Sequence, residues 1–297
     1  MKQAILITAY KNFEHLYEIA NFFDQRFEIY IHVDKKSELP NKVINELSTL
    51  PQVKLVSQKY KVNWGGINHL KCILYLSVEA LKNKNINRFH VITGHDYPVK
   101  TKDYFISFFE SHQENNYMVY RELPYQNWPN GGLDRLEYYN FYDWINAKKH
   151  RPLIFKLVNW QKKLGIKRKL SKKLPKLYGG ESYWSLNRKA LAYIMEYTKE
   201  EPYFLRRMKH SFCSEEIYIQ TVLMNSKYAN TVVNDSLRYI EWSNRNGNFP
   251  ANLDRTDLEP ILSSNKFFAR KFEYPVSQDL LTALKNYLNS NLPFSKL

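Results

Sequence analysis

The order of apolar runs predicts an α/β fold built on a largely parallel sheet. Three observations carry this. Short β-rich runs recur through the first half, segments of helical period separate them, and the composition, 44% hydrophobic and 15% aromatic, is that of a packed chain rather than a low-complexity one. The runs are Ala4 to Ala9, Phe27 to Val33, Val53 to Val56 and Phe89 to Thr93. Between the last two, Ile67, Leu70, Leu74, Val78 and Leu81 recur at three- and four-residue steps, which predicts a helix over 66–81. In such sheets ligands gather at the carboxyl ends of the strands, so the residues just after each run are the ones to read for function.

At 297 residues the chain is long enough for a substantial core, as one large domain or two small ones. Its two cysteines, Cys72 and Cys213, form neither a disulfide framework nor a metal spacing and fit a reducing compartment. The N-terminal apolar run is too short for a signal peptide, and no window reaches the roughly 18 apolar residues of a membrane span. A soluble or peripheral protein is expected. The formal net charge of +15 calls for anionic partners: nucleotides, lipid headgroups, acidic glycans or nucleic acid.

Taken in order, the second run ends in His32-Val33-Asp34-Lys35-Lys36-Ser37. Asp34 either accepts hydrogen bonds from a ribose or base, or caps the next turn. Trp64-Gly65-Gly66 lets the backbone approach something closely before the helix begins. After the fourth run, Gly94-His95-Asp96-Tyr97-Pro98 forces a turn, with Asp96 either a turn former or a ligand group. From Tyr117 to Trp144 the chain is dense in Tyr, Trp, Asn and Arg, among them Arg135, a mixture that suits sugar rings as well as a core.

From Lys148 to Lys176 there are twelve Lys or Arg and no Asp or Glu, interleaved with large apolar residues. This reads as a solvated face or as a basic amphipathic element on an anionic membrane. No motif of the usual nucleic-acid modules accompanies it, so nucleic acid is not expected as a partner. A glycine-led strand at 178–188 then feeds a helix over 189–197. Ser214-Glu215-Glu216 opens the next apolar run and reads as a helix start, with Ser214 as N-cap and the carboxylates complementing the helix end. The other reading makes Glu216 a general base projecting into a cleft. A strand at 237–242, a helix over 255–262 capped by Asp254, the run 267–272 and a helix around 280–288 complete the chain. Arg270 and Lys271 adjoin an apolar run, which leaves them either a surface pair or one of them aimed at a site.

Eight of these motifs in this order resemble the Core-2/I-branching glycosyltransferase family, which includes xylosyltransferases. They are 32–37, 64–66, 94–98, 179–188, 214–216, 221–226, 237–240 and 268–272, and the likeness spans roughly residues 3 to 273. The resemblance implies a single GT-A-like α/β domain over 1–297, in which the basic stretch at 148–176 has no counterpart and stands as an insertion. It implies inverting, metal-independent transfer of a sugar, N-acetylglucosamine first and xylose second, from a UDP donor to a hydroxyl of a glycan. Glu216 matches the base; Arg238 and Lys271, with Arg270 beside it, match the groups that meet the diphosphate. Asp34 and Asp96 fall on the donor side. Glu181, Tyr183, Trp184 and Arg135 fall on the acceptor side.

Physical chemistry asks for the same parts. Inverting transfer needs one carboxylate to take the acceptor proton and fixed charge to meet the leaving diphosphate; the chain has no Asp-x-Asp, so Arg and Lys are expected to replace a metal. Three details depart from the family: Glu215 stands where Asp is more usual, Cys213-Ser214 replaces a Pro-containing approach, and His95 replaces Gln or Met. Without the animal members' anchor, stem and disulfide cysteines, the expected setting is a bacterial-type enzyme, cytoplasmic and peripheral to the inner membrane face, docked through 148–176 and acting on a glycan or lipid-linked glycan. The competing expectation is a catalytically silent glycan- or membrane-binding protein of the same fold.

Overall fold

The computed structural model describes residues 1–290. Strands β1 (Lys2–Ala9), β2 (Phe27–Val33), β3 (Val53–Ser57) and β4 (Ile86–Thr93) alternate with helices α1 (Phe13–Phe22), α2 (Asn41–Thr49) and α3 (Ile67–Leu81). Next come β5 (Asp96–Pro98), α4 (Lys102–Ser111) and β6 (Asn116–Glu122). A long connection carries α5 (Asp134–Glu137) and α6 (Ala147–Lys163) to β7 (Tyr178–Asn187). The chain continues through α7 (Arg188–Glu200), α8 (Pro202–Met208), α9 (Tyr218–Met224), β8 (Val232–Val233), β9 (Arg238–Ile240), α10 (Leu258–Ser263), β10 (Phe268–Arg270) and α11 (Gln278–Asn289).

The strands form a seven-stranded sheet in the order β3-β2-β1-β4-β7-β6-β8 and a small sheet ordered β5-β10-β9. β1 pairs in parallel with both β2 and β4, and β3 extends the parallel side, while β7 runs antiparallel to β4 and β6. This is the mostly parallel α/β arrangement expected. Because side chains alternate along a strand, β1 sends Ile5 and Ile7 to one apolar layer and Ala4 and Leu6 to the other. The first layer is closed by α1, α4 and α11; the second by α3, α7 and α9. β2 is buried along its whole length; it is mostly apolar, and its two polar residues are paired, Glu28 accepting from Lys2, Tyr30 and Asn83 and His32 accepting from Tyr60 N.

Helix ends reflect local chemistry. Asn187 caps α7 by accepting from Ala190 N, and Asp254 forms a capping box with Asp257 ahead of α10. The expected strand at 237–242 shrinks to the three-residue β9, and the run 267–272 supplies the three-residue β10. No described helix is long and apolar enough to cross a membrane.

Candidate active site

A cleft of about 980 Å³ opens at the carboxyl ends of β1, β2 and β4, lined there by Thr8, Tyr10, Asp34, Thr93 and His95. Glu215 and Glu216, Ser182 and Tyr183, Arg270 and Lys271, and Lys148 and Arg151 close its other walls.

The expected capped helix at Ser214 is not formed. Cys213 takes a left-handed conformation (φ 48°), Ser214–Glu216 make one 3-10 turn, and α9 starts only at Tyr218. The Ser214 hydroxyl is buried without a hydrogen-bond partner. The turn is held from outside: Cys213 N donates to Gly65 O at 3.0 Å, and a Cβ on Gly65 (φ +79°) would lie 2.8 Å from the Phe212 ring. The close approach implied by Trp-Gly-Gly is therefore to this carboxylate turn.

The two carboxylates have separate partners. Glu215 Oε1 lies 3.1 Å from His69 Nδ1, whose Nε2 is 3.2 Å from Thr8 Oγ1. Glu216 Oε2 accepts from Arg135 at 2.5 Å and remains part-exposed to the cleft. Burial raises the Glu216 carboxyl to about 6; Arg135 opposes that rise and Glu215 adds to it. Above that value Glu216 is a carboxylate able to take a proton. Arg135 is itself clamped, its guanidinium 3.7 Å from the Trp128 ring centroid and 5.2 Å from that of Phe212. Its geometry is that of the partner of Glu216, not of the direct acceptor contact expected for it.

The expected donor residues divide. The Arg270 guanidinium extends over the Tyr183 ring at 4.2 Å, makes no hydrogen bond to other described residues, and lines the cleft beside Lys271. Burial and the adjacent Arg270 pull the Lys271 ammonium down to about 8. Arg238 is a correction. It is absent from the cleft wall, and its guanidinium donates to the Val91, Trp184 and Ser236 carbonyls and to Ser185 Oγ. Asp96 is another: fully buried, it accepts from Thr93 N and Oγ1 and lies 3.5 Å from Arg270 Nε, beneath the cation rather than in the cleft. Asp34 lines the cleft and accepts from the Lys36 and Val62 backbone amides, which is the turn-capping reading of this residue.

On β7 the expected acceptor residues also divide. Between Met118 and Tyr120 the pairing of β6 jumps from Trp184 to Gly180, a bulge that turns Ser182 and Tyr183 into the cleft. Trp184 corrects the expectation, since it is wholly buried in the core. Glu181 stands behind the wall, with Oε2 buried and unpartnered and its charge felt by Arg238 and Arg270.

Sequence reasoning missed several groups. Lys11 pairs with Glu273 at 2.7 Å in the cleft wall, next to His95, which burial holds down to about 4 and so keeps neutral. Gly247, Asn248 and Asn252 line the cleft on a segment hydrogen-bonded to the Lys271 backbone through Ala251 and Leu253, and on the same segment Trp242 and Phe249 stand more than half exposed with ring centroids 5.8 Å apart. A solvent-facing aromatic pair was the available signal. Cys213, Glu215 and Glu216 have ligand-type atoms within 4.8 Å of one another, but the carboxylates already face Arg135 and His69, and burial drives the thiol well above its ordinary value.

The sequence profile described as Core-2/I-Branching enzyme matches residues 4–262. Curated relatives include Xylosyltransferase oxt of Drosophila pseudoobscura pseudoobscura, 25% identical over 284 residues, covering 87% of this chain and 30% of the relative. Xylosyltransferase 1 of Mus musculus is 26% identical over 290 residues (89% and 28%), and that of Homo sapiens 24% over 290 residues (89% and 28%). The chain thus spans about three-tenths of the length of these relatives. A profile match over most of the chain, on the expected α/β fold, shows that it belongs to the Core-2/I-Branching enzyme family.

Proposed function

We propose that the protein is an inverting glycosyltransferase that moves a sugar from a UDP donor to a glycan hydroxyl without a metal ion. The observation that carries this reading is a part-exposed carboxylate, Glu216, facing across one cleft two cations, Arg270 and Lys271, that have no carboxylate hydrogen-bonded to them among the described residues. Glu216 takes the proton of the attacking hydroxyl while that oxygen bonds to the anomeric carbon. The bond to UDP breaks on the opposite face, and its electron pair leaves as diphosphate charge. Arg270 and Lys271 meet that charge, the Arg fork suiting phosphate oxygens. Asp34 serves the nucleoside end, and Tyr183, Trp242 and Phe249 offer ring faces to the acceptor.

N-acetylglucosamine, which the family resemblance puts first, and xylose, the sugar in the relatives' names, are the donors to try first. The acceptor we assign is a glycan carried on lipid at the cytoplasmic face of the membrane, a position suited to the basic stretch at 148–176. The test is turnover of a UDP-sugar panel in chelator by wild type and Glu216→Gln. One donor should turn over with EDTA present, and the variant should lose about 10³-fold while still binding UDP. A requirement for Mn²⁺ would remove the metal-free assignment. UDP-sugar binding without turnover, unaltered by Glu216→Gln, would favour a silent binding protein.

A further inference from the structure

The connection from β6 to β7 leaves a basic, apolar surface open to solvent beside the cleft. Helix α6 buries only Ala147, Ile154 and Gln161. Leu153, Trp160 and Leu164 recur at seven- and four-residue steps and share one exposed stripe, Trp160 at 52% and Leu164 at 71% exposure, with Ile166 just beyond. Lys156 and Lys163 flank the stripe, and the Lys156 ammonium lies 5.4 Å from the Trp160 ring centroid. Large apolar side chains open to water in a continuous stripe mark a contact surface.

The charges around the stripe are not neutralised. Lys162, Lys167 and Lys176 have carboxylate partners in Asp134, Glu137 and Glu122. Lys149, Lys156, Lys163, Lys169, Lys172 and Lys173 are exposed and have none among the described residues. Six free ammonium groups call for an anionic partner, and the Leu, Ile and Trp side chains between them call for hydrocarbon. A nucleic acid supplies the first without the second for Leu153, Leu164 and Ile166. A second copy of the chain supplies the second while setting like charges face to face. An anionic bilayer supplies both.

We propose that the outer face of α6 and the stretch to Lys173 dock this protein on an anionic lipid surface, with Leu153, Trp160, Leu164 and Ile166 entering the headgroup region. The inner end of the same helix forms cleft wall: Lys148 lies 4.4 Å from the Tyr10 ring centroid and Arg151 5.2 Å from that of Trp64. Docking therefore brings the cleft mouth to headgroup level. Delivery of a lipid-borne acceptor rests on the function proposed above, whereas docking itself does not.

Cosedimentation with phosphatidylcholine vesicles, pure or with roughly one-third phosphatidylglycerol, tests it. The protein should pellet only with the anionic vesicles and come off at about 0.5 M salt. Lys156→Gln, Lys163→Gln, Lys169→Gln and Lys172→Gln together should weaken binding roughly fivefold per lysine. Leu153→Ser with Leu164→Ser should weaken it at unchanged charge, and Trp160→Phe should remove the quenching of tryptophan emission by brominated lipid. Donor turnover and melting temperature should be unchanged in each variant. If no UDP-sugar turns over, vesicle binding still reads the docking claim alone. Equal binding to neutral vesicles, or binding unaffected by the lysine variant, overturns it. So does duplex DNA bound more tightly than lipid, or a dimer broken by the Leu153 and Leu164 changes.

Discussion

Arg238 and Arg270 occupy neighbouring three-residue strands of one small sheet, β9 and β10, and have opposite fates. Arg238 is enclosed by Val91, Trp184, Ser185 and Ser236, whose oxygens take up the donors of its two terminal nitrogens and leave Nε unpartnered. Arg270 is almost as deeply buried, but its fork opens onto the cleft over Tyr183, with Asp96 beneath. Burial alone thus says nothing about role. What separates a structural arginine from a ligand-binding one is whether the protein itself satisfies the donors.

The contrast is sharpest under substitution. Arg270→Ala should lower kcat about 10²- to 10³-fold, as loss of a fixed charge on a leaving group does, with a melting loss smaller than that of the Arg238 variant because Asp96 keeps its Thr93 donors. Arg238→Met should do the reverse. It strips several buried oxygens of their donors and should cost about 3 kcal/mol of stability, read as a lower melting temperature with kcat retained in the folded fraction. Equal melting losses in the two variants would erase the distinction.

Smaller effects lie in the pH profile. Glu216 is protonated below about 6, so activity should fall on the acid side of that value. Arg135 favours its charged form, so Arg135→Met should move the acid limb of kcat/KM upward by about one pH unit. On the alkaline side, Lys271 loses its charge above about 8. Lys271→Arg should remove that limb while leaving the acid one, because a guanidinium stays charged throughout. An alkaline limb that survives in the variant would assign it to another group.

Much of the cleft wall built on the parallel strands was legible in the sequence. Strands buried on both faces give mostly apolar runs, and the residues immediately beyond them, Asp34 and the His95 turn, fall in or beside the cleft. Glu216 was legible as a carboxylate before an apolar run, although the turn that presents it is set by Gly65, whose glycine pair implied a close approach without naming its partner, and by a left-handed Cys213 that no local pattern announces. The assignments of Arg238 and Trp184 failed for a common reason. On a short or bulged strand the facing of one residue depends on a register fixed by partners far along the chain, as where β6 skips from Trp184 to Gly180. Asp96 failed differently: a turn former and a ligand look alike until burial is known.

The long β6–β7 connection has a practical consequence for redesign. Arg135, the Trp128 clamp and the cleft-facing end of α6 all lie on it, whereas Asp34, Arg270 and Lys271 sit on or next to sheet strands. Exchanging 123–177 between family members would therefore alter the surroundings of Glu216 and one wall of the cleft together while keeping the wall built on the sheet strands. Gly179, at the return into β7, sets the limit of such a graft: a Cβ there would meet the Trp128 ring at 2.6 Å, so loop and strand have to be transplanted as a matched pair.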